Sequence, residues 1–223
     1  MHKPFVSILI PSRRMKYLPA TLESIAHQHD EAYEVLIAHV PSSPDLSTLT
    51  IPILDTHAAA VAHKLNLLAN IAQGDYLMVL ADDDILLPNA LHRWRAAAQA
   101  NHLPDVVMAQ RQNMTERGEV INVQSTYPWT AGTFAGANPV QGWTAMVGAD
   151  VWKAVGGVDP TQLWQDYDFW YKCFLQGANA LTIHAPLWGY RRHADQIPDN
   201  SPLWTEAWAR LYGRHPELRD PAI

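Results

Sequence analysis

Cysteine occurs once, at Cys173, so this chain of 223 residues forms no internal disulfide and no zinc site built on cysteine. Charge is sparse too. Charged residues make up 17% of the sequence, and 16 Lys and Arg against 22 Asp and Glu leave a net charge of −6. That deficit of positive charge excludes the electrostatic footprint of tight non-specific nucleic-acid binding, so a nucleic-acid partner is not favoured. Long hydrophobic runs are missing as well: none approaches the ~18 residues of a membrane span. The start, Met1 to Ile10, has one Lys and a short apolar run, less than a signal peptide needs. The expectation is a cytoplasmic protein without a membrane span.

What is present is ordinary globular material, with 48% hydrophobic residues and a length suited to one domain. Tryptophan is the exception. Eight of the nine lie after residue 128, so the second half differs chemically from the first.

The first half alternates strand-like and helix-like segments. Phe5–Ile10, Tyr33–Ala38, Ile51–Leu54, Tyr76–Leu80 and Asp105–Ala109 read as strands. Helical spacing links Leu18, Leu22, Ile25 and Ala26, then Val61, Leu65, Leu68 and Ala72, and a further helix runs from about Pro88 to Ala100. Near-continuous apolar strands between helices predict an α/β fold whose mainly parallel sheet is covered on both faces. In such sheets ligands bind beyond the carboxyl ends of the strands. Pro11–Arg14, His39–Ser43 and Asp82–Asp84 fall at such ends.

The second half reads differently. Gln124–Gly142, rich in Gly, Pro, Thr and aromatics, reads as a long loop of the functional or mobile kind. Asp150–Val155 and Asp166–Leu175 read as helices stopped by glycine, Ala180–His184 as a strand, and the tail from about Asp195 as a peripheral wrap.

Asp82, Asp83 and Asp84 follow an apolar strand directly. Three adjacent carboxylates repel one another unless a cation or solvent offsets the charge. Oxygen ligands at a strand end suit Mg²⁺ or Mn²⁺ shared with a substrate phosphate. A solvated turn with an N-cap for the helix near Pro88 explains the same residues.

With these residues in view, the chain resembles a family 2 glycosyltransferase of the GT-A fold. The segments that carry the resemblance are VSILIPSRR, LPATLESI, YEVLIA, NLLANIAQGDYLMVLADDDILLPNAL, VGGVDP, WQDYDFWYKCFLQG and YRRH, covering most of residues 5–193. The resemblance implies one GT-A domain over 1–223. Residues of about 1–110 would bind the nucleotide sugar, about 111–195 the acceptor, and about 196–223 form a peripheral tail.

Roles follow from the same resemblance. Asp82 would contact the donor, and Asp83, Asp84 and His193 would hold the divalent metal, with Asp83 as principal ligand. Ala81 stands where many members carry a further Asp. Pro11, Ser12, Arg13, His39, Lys64, Asn66 and Arg191 would line the nucleotide and diphosphate. After the second strand, His39-Val40-Pro41-Ser42 replaces the family's Asp-Asp-Gly-Ser. Asp166 would be the general base, with Gln165 where the family has Glu. Trp143 and Trp164 are candidates for acceptor contact, since an indole packs on a sugar ring.

The implied activity is inverting transfer of a hexose-type residue from a nucleoside diphosphate sugar to a hydroxyl. The acceptor is left open among a glycan, a lipid-linked sugar, a protein side chain and a modified nucleobase. Two other readings stand beside it. A nucleotidyltransferase would want a Gly-rich loop after the first strand, where this chain has none. A non-catalytic nucleotide- or carbohydrate-binding module would explain Ala81, His39 and Gln165.

Overall fold

A computed structural model describes residues 3–13, 16–39, 53–55, 61–196 and 201–219. The first half builds a parallel sheet. Strand β1 (Val6–Pro11) lies between β2 (Tyr33–His39) and β4 (Tyr76–Val79), and β3 (Ile53–Asp55) extends the sheet beyond β2. Alternation along β1 shows why it is central. Ile8 and Ile10 pack into one core cluster and Leu9 into the other, all three fully buried.

Helices α1 (Leu18–Ala26) and α3 (Ala90–Ala100) cover the Ile8 face through Leu18, Ile25, Leu91 and Trp94. Helix α2 (Val61–Ile71) covers the Leu9 face through Leu65 and Leu68, the apolar stripe seen in the sequence. The segment after His39 with Val40, Pro41 and Ser42, the start of the third expected strand at Ile51, and Arg14 lie outside the described residues.

The second half makes the sheet mixed. After the two-residue β5 (Ile85–Leu86), β6 (Val106–Met114) runs parallel to β9 (Ala180–Arg191) and antiparallel to β7 (Val120–Gln124). Strand β8 (Met146–Gly148) is antiparallel to both β4 and β6 and joins the two halves. The described strands order as β3-β2-β1-β4-β8-β6-β9-β5, with β7 on β6.

Two expectations change here. Strand β9 continues past His184 to Arg191, because register shifts opposite Pro186 absorb the missing N–H that proline brings to a ladder. The tail, read as a peripheral wrap, contains a helix. Helix α7 (Leu203–Arg214) buries Leu211 in the core that also holds α6 (Gln165–Leu175), packs Trp208 and Tyr212 against it, and buries Ala207 as well.

Short helices α4 (Ala131–Phe134) and α5 (Ala149–Ala154) complete the order. Gly156 and Gly157 after α5, and Gly177 after α6, take the left-handed conformation that stops a helix. Among the described residues no helix is long and apolar enough to cross a membrane.

Candidate active site

The carboxyl ends of β1, β2 and β4 converge, and the polar residues of three separate segments meet there. Asp82, just past β4, accepts hydrogen bonds on Oδ2 from the Ser12 hydroxyl at 3.2 Å and the Arg13 amide at 2.5 Å. Lys64, reaching up from α2, donates to the Ser12 carbonyl at 2.5 Å and is fully buried. Burial pushes the Lys64 ammonium below its usual range, and the nearby Asp82 charge pulls it partly back. His39 is buried at the end of β2, where its neighbour Ala38 pairs with Pro11. Pro11, Ser12, Arg13, Lys64 and Asp82 therefore form one cluster.

Asn66 does not join it. Its amide donates to the Val158 carbonyl at 2.8 Å and accepts from the Val158 amide at 2.9 Å, clamping the Gly-Gly turn to α2.

Asp83 and Asp84 face the end of β9. Asp84 accepts the Arg191 amide on Oδ1 at 3.1 Å, and its carbonyl accepts the Thr21 hydroxyl at 2.7 Å. Burial pushes the Asp84 carboxyl well above the usual carboxylate range, and the Asp83 charge adds to that. Arg191 is itself buried. Its Nε donates to the Asp83 carbonyl at 2.9 Å, its Nη1 donates to the Glu116 carbonyl at 2.7 Å, and the guanidinium lies over the Tyr17 ring. The side chain thus braces the Asp83–Asp84 turn.

His193 completes this corner. Its Nε2 lies 2.9 Å from Asp83 Oδ2, and its ring packs against Tyr17 at 4.8 Å between centroids. The Asp195 amide donates to Nδ1 at 3.2 Å, so a neutral ring carries its proton on Nε2, facing Asp83.

A divalent cation at this corner would need the Nε2 lone pair, and so the opposite tautomer of His193, with its proton on Nδ1 and the Asp195 contact opened. Cis ligands at about 2.1 Å around an octahedral ion sit about 3 Å apart, which matches the Asp83–His193 spacing. Among the described residues no three His, Cys, Asp or Glu side chains converge on one point. Phosphate oxygens and water would therefore complete such a shell, the usual arrangement for Mg²⁺ at a phosphate site.

Asp166 stands at the start of α6, where helix amides favour negative charge. It accepts from Asn138 at 3.0 Å on Oδ2. Burial pushes its carboxyl above the ordinary value, while the Tyr167 amide, its own amide and Asn138 pull it back. It lines a cavity of about 320 Å³ together with Trp164, Asn138, Gln141, Arg111, Tyr190 and Trp208. Tyr190 ties this cavity to the carboxylate corner, because it lines the cavity and the next residue, Arg191, bonds the Asp83–Asp84 turn. A larger cavity of about 580 Å³ between α2 and α5 contains neither Asp166, His193 nor the three consecutive aspartates.

Of the two tryptophans singled out in the sequence, Trp164 lines the Asp166 cavity. Trp143 packs instead on Phe169 and Trp170, with centroids 5.7 and 6.5 Å away. Sequence reasoning missed Arg111, Asn138, Gln141 and Trp208. Asn138 and Gln141 sit in the long loop already marked as functional or mobile. Trp208 had a usable signal: Trp204, Ala207, Trp208 and Leu211 recur at helical spacing.

Comparison with known proteins found no matching family model and no matching curated protein. Solved structures do match. The crystal structure of S. aureus TarS residues 1-349 in complex with UDP-GlcNAc superposes with a TM-score of 0.71 at 16% identity, over 93% of this chain and 65% of that one. The same TarS fragment without a named ligand gives 0.68 at 17% identity, covering 83% and 60%. Its complex with UDP gives 0.68 at 16% identity, covering 84% and 60%. The fold is GT-A. The chain spans about 60% of the TarS fragment and 36% of a longer TarS structure.

Proposed function

We propose that this chain is an inverting, family 2-like glycosyltransferase that moves a hexosyl-type residue from a nucleoside diphosphate sugar to a hydroxyl acceptor. The observation that carries the reading is the placement of two sites side by side. The Asp83–His193 pair lies at the strand ends, Asp166 lies in a cavity that Tyr190 also lines, and Arg191, next to Tyr190, bonds the Asp83–Asp84 turn. The binding of UDP-GlcNAc and UDP by TarS, on the same fold, supports a nucleotide-sugar donor.

In this reading the nucleoside rests against Pro11, Ser12, Arg13 and His39 in the first half of the chain. Lys64 and Asp82 hold that loop in place, and the diphosphate lies toward Asp83 and His193. Asp83 and His193, with Asp84 behind them, would hold Mn²⁺ or Mg²⁺. A cation bound there neutralises charge on the departing diphosphate.

Asp166 takes the proton from the acceptor hydroxyl as that oxygen attacks the anomeric carbon from the face opposite the leaving group. One displacement with inversion results. Asn138 orients the carboxylate, and burial raises its basicity toward the working pH. The second half of the chain forms the acceptor side.

The test is an assay of the purified chain with UDP- and GDP-sugars and Mn²⁺. Donor turnover that disappears in Asp166→Asn supports the reading. Nucleotide binding without turnover on any donor would make the chain a binding module.

A further inference from the structure

We infer that the Asp166 cavity is built to hold a neutral saccharide unit of the acceptor, and that Trp208 and Gln141 select it. The inference rests on the glycosyltransferase reading and narrows its acceptor to one chemical class.

Trp208 comes from α7, the last long helix, and lines the cavity beside Trp164. The two indoles meet edge to face at 4.4 Å between centroids, and Trp208 also stacks on Tyr212 at 4.9 Å. Both tryptophans are only partly buried, so they contribute apolar surface to the cavity. Aromatic surface of this kind packs against the C–H face of a pyranose, while indole and phenol groups leave polar atoms at the edge.

The polar lining asks for hydrogen-bond donors. Asp166 is an acceptor when ionised. Gln141 is held with φ at +60°, a left-handed conformation uncommon for this residue type. Its Nε2 donates to the Ser125 carbonyl, which fixes the amide orientation. Among the described residues its Oε1 is buried and has no hydrogen-bond partner. A buried acceptor without a partner is costly, and a ligand hydroxyl relieves that cost.

Charge argues for a neutral ligand. Arg111 lines the cavity, but Nε and Nη2 donate to Gln124 Oε1 and Nη1 donates to the Gln141 carbonyl. Its cation also lies over the Tyr190 ring. With that guanidinium committed to the protein, no other described residue lining the cavity carries a positive charge, and ionised Asp166 repels an anion; Arg192 lies over the Tyr190 ring but does not line the cavity. At about 320 Å³ the cavity sits at the small end of ligand sites, suited to one sugar ring.

The test uses the full chain and a panel of methyl hexopyranosides, read by saturation-transfer NMR and titration. The expected result is saturation transfer strongest at the ring C–H protons. Affinity should fall roughly tenfold in Trp208→Ala, recover in Trp208→Phe, and fall in Gln141→Leu. Gln141→Leu leaves the aromatic packing alone, so it decides the matter if Trp208→Ala does not fold. Absence of glycoside binding, or affinity unmoved by these variants, overturns the inference. Competition at the cavity by a Ser/Thr peptide but by no glycoside overturns it too. UDP titration on the same samples reports the donor site separately. Loss of UDP binding with glycoside binding intact would count against the donor reading and not against this one.

Discussion

His193 Nε2 and Asp83 Oδ2 lie 2.9 Å apart although 110 residues separate them in sequence. The contact joins the end of β9 to the turn after β4, with Arg191 bracing the same turn from behind. If the pair holds a cation against the diphosphate, His193→Ala should weaken Mn²⁺-dependent nucleotide binding by about 10–100-fold, the usual scale for losing a group that supports a metal. Turnover should fall with it. A variant with unchanged metal-dependent affinity, measured by calorimetry, would make the contact purely structural.

Asp166 sets function against stability. Burial raises its carboxyl above the usual value, so the folded state holds that proton more tightly than the unfolded chain does. As pH rises from the unfolded value through the raised folded value, the protein therefore loses stability that the protonated form had. Asp166→Asn stays neutral throughout. It should match or exceed the parent in melting temperature at pH 7, with the gap narrowing as pH falls. Its turnover should drop by roughly 10²–10⁴. In the parent, activity should fall on the acid side with a midpoint above the ordinary Asp value. A midpoint at or below that value would contradict the assignment.

Asp168, two residues on, has a different task. It is fully buried and faces His215 at 2.9 Å, Arg214 at 3.4 Å and Lys172 at 3.6 Å. The contacts to Arg214 and His215 fasten the end of α7 to α6, while Lys172 lies on α6 itself. Removing the carboxylate leaves the cationic side uncompensated, a change worth about 3–5 kcal/mol for a buried pair. Asp168→Ala should lower the denaturant midpoint accordingly. Equal midpoints for variant and parent would show that the cluster contributes nothing net.

Asn66 gives a contrast between structural and donor roles. Both ends of its amide are used on Val158, and a Cβ at Gly157 would come within 2.5 Å of its oxygen. Asn66→Ala should cost about 1–3 kcal/mol through the unpaired Val158 backbone groups. Nucleotide affinity of the folded variant should stay at the parent value. A variant of full stability but weakened nucleotide binding would restore Asn66 to the donor site.

In the first half, β1, β2 and β4 were legible because each shows an apolar run, and α1, α2 and α3 because each is long enough to show helical spacing. β5 and β8 were not, since strands of two or three residues carry no periodicity. Pro186 disguised the second part of β9, and with it the fact that Tyr190 and Arg191 end a strand of the sheet and His193 follows directly after it. At the candidate site, Ser12, Lys64, Asp82, Asp83, Asp166 and His193 stood out in the sequence by residue type, and the structure places them in the cluster, the corner and the cavity described above. Gln141 and Asn138 were hidden in a loop whose path depends on tertiary contacts. Trp208 was missed because its helix was read as a tail.

The most direct measurement is a calorimetric titration of UDP and GDP into the purified chain, with Mn²⁺ and then with chelator, repeated on Asp83→Ala. The account predicts that one nucleoside diphosphate binds the parent with Mn²⁺, weakens strongly with chelator, and loses its metal dependence in the variant. Binding that ignores both the metal and the substitution, or no binding by any nucleoside diphosphate, would contradict it.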